Sequence, residues 1–244
     1  MRTSNKLLSG LILTGLLLIA GLFIFVRVQV ARGATVTRAV AGQDRYWANV
    51  HKIDGPVRSV SIIGLKNITL VPADSARLEI DKNFPKGIFW KLDNGRLTLT
   101  IDTSSKNSYS SNVHVELFLP ATDSIIADYS NIDVKNTGDS TTAAAFHFML
   151  SGSTVAIQSD DRDPAHKPVT YYQSLQFDAR NGSEVKLHSD VTVGKFSVKL
   201  RGSTLEVTED HIRFNEKPTI QTDSISQLHL TGSTLRQALI TSTE

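Results

Sequence analysis

Cysteine is absent from the 244 residues. That excludes disulfides, thiolate metal ligation and cysteine nucleophiles together. A basic nucleic-acid footprint is missing too. Residues 1–38 hold Arg2, Lys6, Arg27, Arg32 and Arg38 and no acidic residue. Of the 26 Lys+Arg and 24 Asp+Glu in the chain, 21 and 24 fall in residues 39–244, a net of −3 there. The overall +2 therefore belongs to the N-terminal stretch, and no nucleic-acid partner is expected. There is no Gly-x-Ser-x-Gly elbow, phosphate-binding glycine loop, His-x-x-x-His or His-Glu-x-x-His pair. On these grounds no catalytic residue, metal ligand set or cofactor is assigned.

The chain does contain one long apolar run. Residues 7–26, LLSGLILTGLLLIAGLFIFV, carry no charge. Twenty helical residues at 1.5 Å each span roughly 30 Å, the hydrocarbon thickness of a bilayer. A cleaved signal would have an apolar region of about 7–15 residues and a small-x-small cleavage site. Ala31 is preceded at two residues by Gln29, and Ala34 by Arg32, so that site is missing. The expected organisation is a short tail at 1–6, a transmembrane helix at 7–26, a juxtamembrane linker at 27–50 and a domain at 51–240.

Hydrophobic residues at 40% and charged residues at 20% place that domain among folded rather than disordered chains. Alternation of period two, as in Leu97 to Ile101 and Val113 to Leu117, reads as β-strand, and helical periodicity is absent. An alternating strand, a Gly-Ser pair and a second alternating strand recur. Phe146 to Leu150 leads to Gly152-Ser153 and then Val155 and Ile157. Leu175 and Phe177 lead to Gly182-Ser183, then Val185 and Leu187. Phe196 to Leu200 leads to Gly202-Ser203, then Leu205 and Val207. Leu228 and Leu230 lead to Gly232-Ser233. A weaker copy has Tyr129-Ser130 in the Gly-Ser place. The glycines are spaced 30, 20 and 30 residues apart. A 20-residue unit is too short for a propeller blade of roughly 40–45 and suits one coil of a β-helix. The expected fold is all-β, a parallel β-solenoid whose corners are Gly152, Ser153, Gly182, Ser183, Gly202, Ser203, Gly232 and Ser233. A β-sandwich of hairpins is the alternative, because Asn-Gly and Gly-Ser also make hairpin turns. The stretch Asp81 to Gly95 reads as an excursion or a cap.

The x-Gly-Ser-x-apolar phrase after an alternating strand resembles the auto-transporter adhesin head domain of the GIN type, over about residues 55–240. The opening Met1 to Leu8 is similar to the start of membrane-anchored Bacteroidetes members. The resemblance implies a β-solenoid in the cell envelope, with a single inner-membrane span and the C-terminal domain in the periplasm. Arg27, Arg32 and Arg38 oppose that orientation under the positive-inside rule. Asp74-Ser75-Ala76, Asp123-Ser124-Ile125, Asp139-Ser140-Thr141 and Asp223-Ser224-Ile225 resemble the O-glycosylation acceptor of the same bacteria.

The remaining candidates are weak beside ordinary structural roles. Asp160, Asp161, Asp163 and His166 could hold a hard cation, but Arg162 competes and the spacing is not that of a calcium loop. His114, His147 and His229 stand between apolar residues and should face outward, where stacked coils would align some of them on one face. His51, His188 and His211 show no pattern. Tyr171, Tyr172, Trp90 and Phe89 could form an aromatic platform. Asp178, Glu184, Lys186, Lys199, Arg201 and Glu206 are the outward charges from which a carbohydrate-active enzyme would be built. The reading is a non-catalytic binding, adhesion-type or structural domain. A carbohydrate-active enzyme on the same scaffold is the alternative, and an envelope protein or a glycan is the expected partner. The oligomeric state is left open.

Overall fold

The computed structural model describes residues 47–83, 88–101, 113–135, 144–158, 170–188, 191–207 and 212–242. The expected span at 7–26 and the acidic loop at 160–166 lie outside the described residues. Among the described residues, no helix is long and apolar enough to cross a membrane.

The described chain is almost entirely β. Its strands form two sheets, A with nine strands and B with ten. The chain passes repeatedly from B to A. Strand β8 (Ser124–Asp128) in sheet B leads to β9 (Asn131–Lys135) in sheet A, and β10 (Ala144–Ser151) leads to β11 (Thr154–Gln158). In the same way β12 (Thr170–Arg180) leads to β13 (Glu184–Leu187), and β14 (Val191–Arg201) to β15 (Thr204–Val207). Strand β17 (Thr219–Thr222) leads to β18 (Gln227–Leu230). Neighbouring units pair in parallel within each sheet.

Register follows from the alternation. Phe146 pairs with Leu175 and Leu175 with Phe196; Phe148 pairs with Phe177 and Phe177 with Val198. In sheet A, Val155, Val185, Leu205 and Leu228 form one line, and Ile157, Leu187, Val207 and Leu230 another. These residues face one core between the sheets. The Phe148 and Phe177 rings stack at 5.2 Å with planes 8° apart, and Phe196 and Phe214 continue the aromatic line. A buried side chain of this size contributes roughly 1.5–3 kcal/mol, so each unit gains its core only by having neighbours.

The first half is less regular, and chain order departs from spatial order. Strands β2 (Ser59–Ile63) and β3 (Ile68–Pro72) lie between β8/β9 on one side and β6 (Arg96–Ile101) and β7 (Val115–Leu119) on the other. Three antiparallel strands follow outside β6 and β7. Strand β4 (Arg77–Asp81) pairs with β7, and β1 (Ala48–Lys52) with β4. Strand β5 (Ile88–Asp93) pairs with β6 through Asn94-Gly95, whose φ angles of 48° and 79° make a tight hairpin. Antiparallel strands thus occupy this end of both sheets, where a parallel stack would otherwise leave open edges. Two short pieces complete the chain: β16 (Arg213–Phe214) pairs with β14, and β19 (Leu239–Ser242) pairs with β17.

Cross-linking tests this register. Gln176 and Ser197 are parallel partners on the outer face of sheet B, about 4.8 Å apart. Gln176→Cys with Ser197→Cys should form a disulfide on mild oxidation. Gln176→Cys with Thr219→Cys spans two strand steps, roughly 9.6 Å, beyond disulfide reach. Equal yields from the two pairs would refute the register.

Candidate functional site

The corners from sheet B to sheet A carry one design. After β8 come Tyr129-Ser130, after β10 Gly152-Ser153, after β12 Asn181-Gly182-Ser183 and after β14 Gly202-Ser203. Tyr129, Gly152, Gly182 and Gly202 have φ of 50°, 57°, 74° and 58°, the left-handed region. The serine hydroxyl donates back to the strand just ended. Ser130 Oγ reaches Asp128 O at 2.9 Å, Ser153 reaches Ser151 O at 3.0 Å and Ser203 reaches Arg201 O at 3.1 Å. The oxygens of Ser130, Ser153 and Ser183 also accept from the adjacent unit: Leu65 N–H donates to Ser130 at 3.2 Å, Ser130 N–H to Ser153 at 3.0 Å and Ser153 N–H to Ser183 at 3.2 Å.

The line breaks once. The corner after β12 has one extra residue, Asn181, and Ser183 N–H turns to Arg180 O at 3.3 Å. It resumes where Ser203 N–H donates to Ser226 at 3.2 Å.

Gly232 and Ser233 stand elsewhere. They open a six-residue helix, α1 (Gly232–Gln237), capped by the Thr231 side chain. The reason is register: Leu228 and Leu230 pair with Leu205 and Val207, so they form the second strand of their unit, not the first. The corresponding corner is Asp223 to Ser226, without glycine. Asp223 Oδ2 accepts from Gly202 N–H at 2.9 Å and Oδ1 from Ser226 N–H at 2.9 Å. The Ser226 hydroxyl, followed by these backbone donors, holds the Asp223 carboxyl below its usual range.

The glycines also seat side chains from adjacent units. A Cβ at Gly152 would lie 2.8 Å from the Tyr129 ring, and one at Gly202 3.2 Å from Ile225. At Gly182 it would meet nothing within 4 Å. Tyr129 and Ile225 are 65% and 73% exposed, so this edge carries two apolar side chains with an open step between them.

The outward charges divide between the two sheets. Glu184, Lys186 and Glu206 lie on sheet A, where Lys186 Nζ stands 3.0 Å from Glu184 and 3.3 Å from Glu206. The Glu184 hydrogen bond leads the causes that raise the Lys186 pKa, against a smaller desolvation effect. Asp178, Lys199 and Arg201 lie on sheet B, which faces the other way. No groove brings the six together. The histidines do not share a face either: His147 is on sheet B and His229 on sheet A. His114 contacts Asn67 at 3.1 Å, Glu116 at 3.5 Å and the Trp47 ring at 5.1 Å. His51 packs beside Trp90.

The aromatic platform is divided as well. Tyr172 is fully buried, and burial pushes its phenol pKa up, while Tyr171 is exposed and Phe89 lies out on β5. Among the described residues, no three His, Asp or Glu gather as a metal would require.

A feature outside the sequence candidates is Arg180, the register partner of Arg201. Both side chains are exposed. Among the described residues neither has a salt-bridge partner. Like charges directly opposite on neighbouring strands destabilise a sheet. The signal was available in the sequence: each arginine is the last residue before a Gly-Ser corner.

Two predictions follow from the corners. Gly182→Ala should cost about 1–2 kcal/mol through its left-handed backbone alone. Gly152→Ala should cost more, and the excess should vanish in a Tyr129→Gly background, read by urea unfolding as a double-mutant cycle. Ser153→Ala leaves the buried Ser130 N–H unpaired and should cost about 1–3 kcal/mol.

Asp223 generates the other. A depressed folded-state pKa contributes stability above the ordinary carboxylate range, lost as pH falls through the folded value. The Tm gap between the wild type and Asp223→Asn should therefore be open at neutral pH and narrow well below 3.8. A gap that stays constant to pH about 2 would show that the charge contributes nothing.

No family model matches the chain, and no curated protein does. Among solved structures, a "putative adhesin" of Bacteroides fragilis aligns over 82% of this chain and 98% of its own, at 10% identity and a TM-score of 0.39. A "putative adhesin" of Parabacteroides merdae aligns over 81% and 95%, at 10% identity and a TM-score of 0.30. A "putative lipid binding protein" of Parabacteroides distasonis aligns over 82% and 98%, at 9% identity and a TM-score of 0.28. Likeness this slight transfers neither fold nor function.

Proposed function

We propose that the domain is a parallel β-solenoid acting as a non-catalytic binding module of the cell envelope. It is carried on the apolar segment 7–26 in the inner membrane and faces the periplasm. The observation that carries the binding reading is the Arg180–Arg201 pair. Charge on the sheet A face is settled within the protein by Lys186 between Glu184 and Glu206. Two exposed arginines in register on sheet B have no such arrangement among the described residues. A counter-charged ligand would relieve that repulsion and gain charge-assisted hydrogen bonds at the same place. The six outward charges are split three and three between the two sheets, so no acid–base pair is assembled across them, an arrangement that suits recognition better than acid–base chemistry.

Location is testable because the chain has no thiol of its own. Lys217 is exposed, so Lys217→Cys supplies a single reporter. A membrane-impermeant maleimide should label it once the outer membrane alone is permeabilised. Labelling only after complete lysis would place the domain in the cytoplasm and end the envelope reading.

A further inference from the structure

We infer that the corner edge at Arg180 and Arg201 binds an anionic polysaccharide, with a sugar ring stacked on Tyr129 and carboxylate or sulfate groups held by the two arginines. The inference rests on the binding reading above and names its ligand class.

The pieces are contiguous. Arg180 and Arg201 are register partners, one strand step of roughly 4.8 Å apart. That step is close to the length of one sugar unit, so successive acidic sugars would present anions at matching intervals. A guanidinium binds a carboxylate or sulfate through two parallel hydrogen bonds, and both of these are exposed. Beside them runs the glycine-lined edge. Tyr129 lies over Gly152, Ile225 lies over Gly202, and the step between them at Gly182 is open. Gly152 N–H bonds Arg180 O at 3.3 Å, so the tyrosine seat and the first arginine are on adjacent strands.

Tyr129 itself is out of place on structural grounds. Its φ is 50°, a region that glycine occupies in the equivalent corners, and its ring is 65% exposed. A non-glycine residue there costs stability, and an exposed ring recovers little of it by packing. An aromatic face offers a sugar's C–H surface an apolar platform with a polar hydroxyl at its end. The net −3 of residues 39–244 disfavours any polyanion held by long-range charge alone, so the ligand must be held by local contacts. An exposed tyrosine face beside two arginines one strand step apart offers those contacts to a sugar chain rather than to a bilayer surface.

The test uses the full chain in neutral detergent and three immobilised polymers: polygalacturonate, dextran sulfate and neutral dextran. Wild type should be retained on the first two, released by salt, and not retained on dextran. Arg180→Gln with Arg201→Gln should weaken retention by on the order of 100-fold, about tenfold for each arginine. Its Tm should not fall, because a like-charge contact has been removed. Tyr129→Gly restores the glycine of the other corners, so it should fold at least as well and bind about tenfold more weakly.

Retention unchanged in the arginine variant would overturn the inference, as would no retention of wild type. So would arginine-dependent binding to phosphatidylglycerol vesicles without polygalacturonate binding. New reducing ends or unsaturated uronates released from the polymer would instead sink the non-catalytic reading and leave the site standing.

Discussion

The structure depends on satisfying backbone groups at its buried corners. Where the chain leaves sheet B for sheet A, the serine position is 0–3% exposed at Ser130, Ser153, Ser183 and Ser203. Water cannot reach those peptide groups, and an unpaired one costs about 1–3 kcal/mol. The adjacent unit supplies the partners. The carbonyls of Ser130, Ser153 and Ser183 accept from the N–H groups of Thr154, Glu184 and Thr204, each at 2.9 Å. The hydroxyls take up much of what remains. A slip of one residue would break this line and turn every inward side chain outward, because the side-chain period along a strand is two. The phenylalanine line through the core is therefore a consequence of the corners as much as a cause of them.

The departures from the pattern are local solutions to the same requirement. Asn181 lengthens one corner, and Ser183 N–H finds Arg180 O in place of the neighbouring hydroxyl. At the last corner a carboxylate takes the role of a strand carbonyl, with Asp223 accepting from Gly202. Leu65 occupies the serine position of its unit and has no hydroxyl, so the hydroxyl line ends there, although its carbonyl still accepts from Asn131 at 2.8 Å. One unit further on, outside β6 and β7, the parallel stack gives way to antiparallel strands.

Stacking in register also brings like side chains together, with opposite consequences in the core and on the surface. Phe148 over Phe177 gains contact and excludes water. Arg180 beside Arg201 gains nothing within the described structure. On sheet A the same stacking sets Glu206 beside Lys186, which Glu184 of its own strand also reaches, and the juxtaposition becomes favourable. The surface of such a protein is thus not free to be arbitrary: each outward residue meets its counterpart at one strand spacing. Function is to be sought where that juxtaposition costs stability.

Much of the local structure was legible from sequence. Alternation identified the strands and their inward residues from Phe146 to Val207, and glycine before serine marked places where the chain turns. Both are properties of a few consecutive residues. What sequence did not decide was which strand each one would lie against. Asn94-Gly95 and Asn181-Gly182 have the same letters and the same left-handed backbone, yet the first closes a hairpin within sheet B and the second carries the chain across to sheet A. The difference is that Asp93 finds Arg96 as its partner, whereas Arg180 finds Arg201. Gly232 misled for the same reason: Leu228-His229-Leu230 alternates identically whichever sheet receives it. The division of the outward charges between two faces, and the meeting of Arg180 with Arg201, were set only when distant strands came into register. Residue type determines what a segment can do by itself; hydrogen bonding between segments far apart in the chain decides which of those possibilities is used.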